Sequence, residues 1–209
     1  MTIHKSYLVW IAATSLGLCV GFLAALQVIM LIAFRQLIWV GDILSGMDGY
    51  LAAFVGLLVL GTILGATQSV VTRSYDVPVI PWILATAAGF AAMSLVIIPL
   101  LHIGVWGNIP GPVEPLVITV GGCSVAGVFQ YVVLRRNQIR AAKWLFVWVV
   151  SLILGIVPTA VIFMTLQGPL GISLNWPAEV ALTGFLIGSF GALFSGQTFL
   201  NTLSKRQAT

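Results

Sequence analysis

Residues 51–72 read Leu51-Ala52-Ala53-Phe54-Val55-Gly56-Leu57-Leu58-Val59-Leu60-Gly61-Thr62-Ile63-Leu64-Gly65-Ala66-Thr67-Gln68-Ser69-Val70-Val71-Thr72, an uncharged run that stops against Arg73. A helix needs roughly 20 apolar residues to cross about 30 Å of hydrocarbon, and this run is long enough. Five more runs of the same kind lie near 7–34, 79–101, 115–134, 144–166 and 177–203. Turn residues separate them: Asp42, Gly46, Asp48 and Gly49; Asn108-Ile109-Pro110-Gly111-Pro112; Gly168-Pro169, Gly171 and Asn175. The runs are too long for strands and lack a sustained period of two. The first continues past the length of a signal-peptide core, so it reads as a retained crossing.

Composition agrees with that pattern. The 209 residues are 60% hydrophobic and 7% charged, with a mean hydropathy of +1.12. Soluble domains carry about 25% charged residues. The net charge of +4 is too sparse for a nucleic-acid footprint. Soluble enzyme, DNA-binding protein, disordered tail and disulfide-rich secreted domain are excluded as classes. The expected fold is all-α, a single polytopic membrane bundle of six transmembrane helices spanning 1–209.

Six crossings put both termini and the second and fourth loops on one side. That side carries Lys5, Arg73, Arg135, Arg136, Arg140, Lys143, Lys205 and Arg206, and the other only Arg35. The positive-inside rule makes the basic side cytoplasmic. The expected location is the cell's inner (plasma) membrane, multi-pass, with both termini inside and anionic lipid headgroups facing the basic turns.

The run quoted above also contains a repeat. Shifted by 62 positions, Gly65-Ala66-Thr67-Gln68-Ser69-Val70-Val71-Thr72-Arg73 lies over Gly127-Val128-Phe129-Gln130-Tyr131-Val132-Val133-Leu134-Arg135. Trp82 and Trp144 each follow their Gln by 14 positions. A small residue stands seven beyond each Trp: Trp82 to Gly89, Trp144 to Ser151, and Trp10 to Gly17. The unit is a hairpin, a Gln-bearing helix and a Trp-led helix joined by a basic turn. Copies of it run parallel about an axis along the membrane normal. The frame is permuted, so spans 1 and 6 are expected to pack together as a third, split hairpin in a pseudo-threefold ring. Gln197, before Lys205-Arg206, is read as the third amide, with looser spacing.

Each marked residue type has a structural and a functional reading. Gln68, Gln130 and Gln197 are candidates for a polar ring that binds a ligand; amides between helices also bond one another, at about 0.6 kcal/mol per contact. Small residues at Gly17/Gly21, Gly61/Gly65, Ala85/Gly89, Gly122/Ala126, Ser151/Gly155 and Gly184/Gly188 allow close helix approach, within the bundle or with a partner. Trp10, Trp82 and Trp144 read as headgroup anchors, with Trp39, Trp106 and Trp176 at the outer face. Asp48, Glu114 and Glu179 stand where an acid complements a helix N-terminus. Pro158 marks a kink in span 5.

The absences discriminate more sharply. No Asp, Glu, Lys, Arg or His falls near the middle of any span, which argues against ion-coupled transport. His4 and His102 lie on opposite sides and share no metal. Cys19 and Cys123 read as packing residues. Gly122-Cys123-Ser124 has the look of a rhomboid-protease serine, but no histidine base accompanies it in span 6.

Gly127-x-x-Gln130-x-Val132-Val133-Leu134-Arg135-Arg136, with Trp144 after it, resembles the turns of a loose set of uncharacterised bacterial six-span membrane proteins, which repeat G-x-x-Q-W-x-V-L-R-R. In that set paired tryptophans follow the turns; here Tyr131 and Ser69 replace the Trp after Gln, and one Trp, Trp82 or Trp144, is read after each turn. The resemblance implies the architecture and no activity. The expected function is a non-enzymatic accessory or assembly subunit of a larger membrane complex. The alternatives are a carrier or embedded binding subunit for a small apolar ligand, or a pigment- or quinone-binding protein. No cofactor, metal site or nucleic-acid partner is read from the sequence.

Overall fold

In hydrocarbon a backbone must satisfy its own polar groups, and a helix does so within one segment. The computed structural model is built that way. It describes the backbone of residues 3–39, 45–102, 113–137, 139, 141–167, 171 and 174–207, and side chains within 5–32, 51–95, 121–137, 139, 141–155, 157–166, 171, 174–175 and 177–204. Six α-helices follow one another: α1 (Ile3–Trp39), α2 (Ser45–Thr72), α3 (Val79–His102), α4 (Val113–Arg136), α5 (Ala142–Gln167) and α6 (Trp176–Gln207). Each apolar run of the sequence falls inside one helix. Four stretches are long and apolar enough to cross a membrane: Lys5–Ile32, Leu51–Tyr75, Ala142–Leu166 and Pro177–Ser204. Val79–Leu95 is a shorter apolar helix among the described residues.

Each helix packs against the next in the chain, and α6 returns to α1. Contact positions run in opposite directions along each pair. Gly17 meets Leu64 and Gly21 meets Leu60 between α1 and α2; Gly122 meets Phe90 and Gly121 meets Met93 between α4 and α3. Between α6 and α1, Gly188 meets Ser15 and Gly184 meets Phe22. The small residues therefore do their work inside the bundle. At Gly89 the approach is closest, because a Cβ there would overlap the backbone of Ala126.

Two described turns close in the same way. At the end of α2 a 3-10 turn, Arg73–Tyr75, leads to Asp76 in the left-handed region (φ 57°). The Val77 N–H then reaches back to the Thr72 carbonyl at 3.2 Å. After α4 the Ile139 N–H reaches the Leu134 carbonyl at 2.9 Å. This six-to-one bond is the Schellman closure of a helix end, and its partners in the two turns lie 62 positions apart. Val77 and Ile139 are both buried. Tyr75 ties the first turn to the start of α1, its hydroxyl donating to Ser6 Oγ at 3.0 Å.

Polarity runs inside-out relative to a soluble protein. Leu8, Ile80, Leu84, Leu95, Phe146 and Met164 are exposed, while Ser6, Thr14, Gln68, Thr86, Gln130, Ser151 and Ser195 are buried. Most buried hydroxyls donate to a carbonyl three or four residues back in their own helix, as Thr86 does to Trp82 at 2.9 Å and Ser195 to Gly191 at 2.6 Å. α5 runs through Pro158, where Thr159 Oγ1 donates to the Gly155 carbonyl at 2.8 Å. Asn175 caps α6, its Oδ1 accepting from the Ala178 N–H at 3.0 Å; Glu179 lies in that helix's first turn.

The tryptophans correct the sequence expectation. Trp10, Trp82 and Trp144 are fully buried, so they pack the bundle and do not anchor it at the headgroups. Small residues make the room: the Cβ that Gly196 lacks would stand 2.8 Å from the ring of Trp10. The side chains of Trp39, Trp106 and Trp176, and those of His4, Asp48, His102 and Glu114, lie outside the described residues.

Candidate functional site

Helical register sends Gln68 of α2 and Gln130 of α4 to the interior, and the two amides meet there. Gln130 Nε2 donates to Gln68 Oε1 at 3.0 Å and to Thr86 Oγ1 at 2.7 Å. Gln68 Nε2 reaches Thr14 Oγ1 at 3.4 Å. The network thus joins α1, α2, α3 and α4. The other two helices are tied in separately. Trp148 of α5 donates from Nε1 to the Cys123 carbonyl of α4 at 3.1 Å. Ser15 of α1 and Ser189 of α6 share a hydrogen bond of 2.9 Å, and Tyr7 donates to the Leu193 carbonyl at 2.6 Å.

Gln197 does not join this layer; it is exposed on α6. The interior position there belongs to Phe199. Counting from glycine explains the difference. Gly65 precedes Gln68 by three, Gly127 precedes Gln130 by three, and Gly196 precedes Phe199 by three. One turn further on, Thr72, Leu134 and Leu203 are all fully buried. Residue type pointed to Gln197, whereas register points to Phe199.

Phe199 is the hub of an aromatic cluster. Its ring centroid lies 4.3 Å from Trp10, 4.9 Å from Trp144 and 5.8 Å from Trp82. Trp148 extends the cluster, stacked on Trp144 at 6.0 Å and edge-on to Trp10 at 6.4 Å. Such contacts contribute about 0.5–1.5 kcal/mol each beyond area burial. Trp148 makes its hydrogen bond, but Nε1 of Trp10, Trp82 and Trp144 is buried without a partner. An unmet buried donor costs about 1–3 kcal/mol.

Chemically, the amides and hydroxyls of this layer are neutral donors and acceptors that satisfy one another. The indole N–H groups are donors only. Cys19 and Cys123 are free thiols. Among the described residues no cluster of three or more His, Cys, Asp or Glu has the makings of a metal site. Thr14, Thr86, Trp148 and Phe199 are the members of the site that sequence reading passed over. The spacing of Trp144 and Trp148, one helical turn, was the signal for the last tryptophan. No protein-family model, curated protein or solved structure matches the chain.

Proposed function

We propose that this chain is a non-enzymatic integral membrane protein of six crossings that serves as an accessory or assembly subunit of a larger membrane complex. It sits in the inner (plasma) membrane with both termini cytoplasmic and its basic turns among anionic headgroups. The crossings are three parallel two-helix units in a permuted pseudo-threefold ring, α2–α3, α4–α5 and α6–α1. Supporting the repeat are the paired six-to-one turn bonds, the amide pair offset by 62 positions, and the packing of α6 on α1.

The observation that carries the functional reading is the inward satisfaction of the polar layer. Gln130 bonds Gln68 and Thr86 inside the bundle, and Phe199 fills the space between the indoles. The small-residue faces are occupied too, so a partner has the outer apolar faces to dock on. α5 offers one: among the described stretches long enough to cross a membrane it is the least buried, and Ile153, Leu154, Val157, Val161 and Met164 are exposed along it. Mass spectrometry of the protein withdrawn from its own membrane in mild detergent is expected to find other membrane subunits with it. Recovery as a lone monomer in every mild detergent contradicts the reading.

A second reading, an embedded binding subunit for a small molecule, draws on the unpartnered indole N–H groups, which would bond an acceptor if the cluster opened. It predicts ligand-dependent thermal stabilisation. Its pigment or quinone version predicts a chromophore absorbing with the purified protein.

A further inference from the structure

We infer that the turn between α2 and α3 holds the phosphodiester of one membrane phospholipid, with Arg73 as its principal ligand. The inference rests on the membrane reading above and gives its basic face a specific site. A hollow of about 420 Å³ opens beside this turn, lined by Ser69, Val70, Arg73, Ser74 and Val79. Small-ligand sites occupy roughly 300–1,000 Å³.

The lining is divided as a lipid is divided. Arg73 brings a guanidinium beside the short polar side chains of Ser69 and Ser74, the Ser69 hydroxyl donating to the Ala66 carbonyl at 2.6 Å, while Val70 and Val79 bring aliphatic surface. Arg73 is exposed at the end of its helix, and Val70 and Ile80 expose 62% and 70% of their surface on the two helices beneath it. A guanidinium grips a phosphate through paired N–H bonds, and acyl chains lie against exposed valine and isoleucine. Asp76, exposed at the same turn, is the nearest carboxylate in sequence, and it is not among the lining residues.

At the 62-residue shift Tyr131 stands in place of Ser69 and Arg136 in place of Ser74. Tyr131 packs against the core.

The test is native mass spectrometry of delipidated protein titrated with dioleoylphosphatidylglycerol, in the wild type and in the variants Arg73→Gln and Ser69→Tyr. Tyrosine at 69 copies what α4 already carries at 131, so this variant is chosen to keep the fold, checked by unchanged tryptophan emission and melting temperature without lipid. The expected result is one tightly held lipid fewer in both variants, with about tenfold weaker binding at that step. Arg135→Gln is expected to keep that lipid. Glycerol phosphate, the same phosphate chemistry without acyl chains, is expected not to compete. Equal lipid occupancy in wild type, R73Q and S69Y overturns the site, and competition by glycerol phosphate assigns it to free phosphate and overturns the lipid. Absence of lipid retention by every form, wild type included, speaks instead against the membrane reading on which the site rests.

Discussion

Gln130 donates its side-chain N–H to the Oε1 of Gln68 at 3.0 Å, joining two residues that sit 62 positions apart in the chain. The bond lies among buried groups, where the alternative for either amide is an unmet polar atom. Its worth is nevertheless bounded, because a polar group in an unfolded membrane segment also finds partners.

Leucine at either position removes the pair and leaves the other amide partly unsatisfied. Gln130→Leu, which loses bonds of 3.0 and 2.7 Å, is expected to lower the unfolding free energy by roughly 1–2 kcal/mol, and Gln68→Leu, whose second bond is the longer one of 3.4 Å to Thr14, by less. In the double variant the losses fall short of their sum by about 0.6 kcal/mol. Steric-trap unfolding in bicelles measures the cycle, and a coupling of zero removes the bond from the account.

The glycines separate by what stands opposite them. Gly89→Ala drives a methyl into the backbone of Ala126, so α3 and α4 must part, whereas a methyl at Gly155 meets Phe190 Cβ at an ordinary 3.4 Å. Gly89→Ala is expected to cost several degrees of melting temperature. Gly155→Ala is expected to be neutral or to gain up to about 1 kcal/mol from helix propensity. Melting in detergent compares the two, and equal effects contradict the packing described for α3 and α4.

Phe194 and Phe199 lie on one helix and face opposite ways, the first 54% exposed and the second fully buried. Phe→Ala in a packed core costs roughly 3–5 kcal/mol, and Phe199→Ala should approach the lower part of that range. It should also shift the emission of the surrounding tryptophans. Phe194→Ala is expected to do neither. Emission spectra and denaturation curves of both variants decide it, and a Phe199→Ala protein with wild-type emission disagrees with the cluster.

How much of this was legible follows from one property of the solvent. Apolar length and interrupting turns are forced by hydrocarbon thickness and by backbone hydrogen bonding, so all six helices could be located in the sequence. Facing direction is harder. When the outside is as apolar as the inside, Trp10, Trp82 and Trp144 carry no pattern that separates anchor from core, and the anchor reading failed there. The amide layer was legible in Gln68 and Gln130, which lie 62 positions apart in stretches that align without a gap. It was misread at Gln197, where residue type was followed two positions short of the buried Phe199. The hydroxyls of Thr14 and Thr86 carry no signal of their own, since threonine commonly bonds its own helix.

The return of α6 to α1 bears most on the whole account, because it brings the first and last helices of the chain together. Ser15 and Ser189 touch across that seam at 2.9 Å between hydroxyl oxygens. Ser15→Cys with Ser189→Cys, in a Cys19→Ala, Cys123→Ala background with a protease site inserted between α3 and α4, tests it in native membranes. Copper-catalysed oxidation followed by cleavage is predicted to leave the two fragments joined until a reductant is added. Fragments that separate without reductant, although each cysteine alone is modified by a membrane-permeant reagent, contradict the closed arrangement.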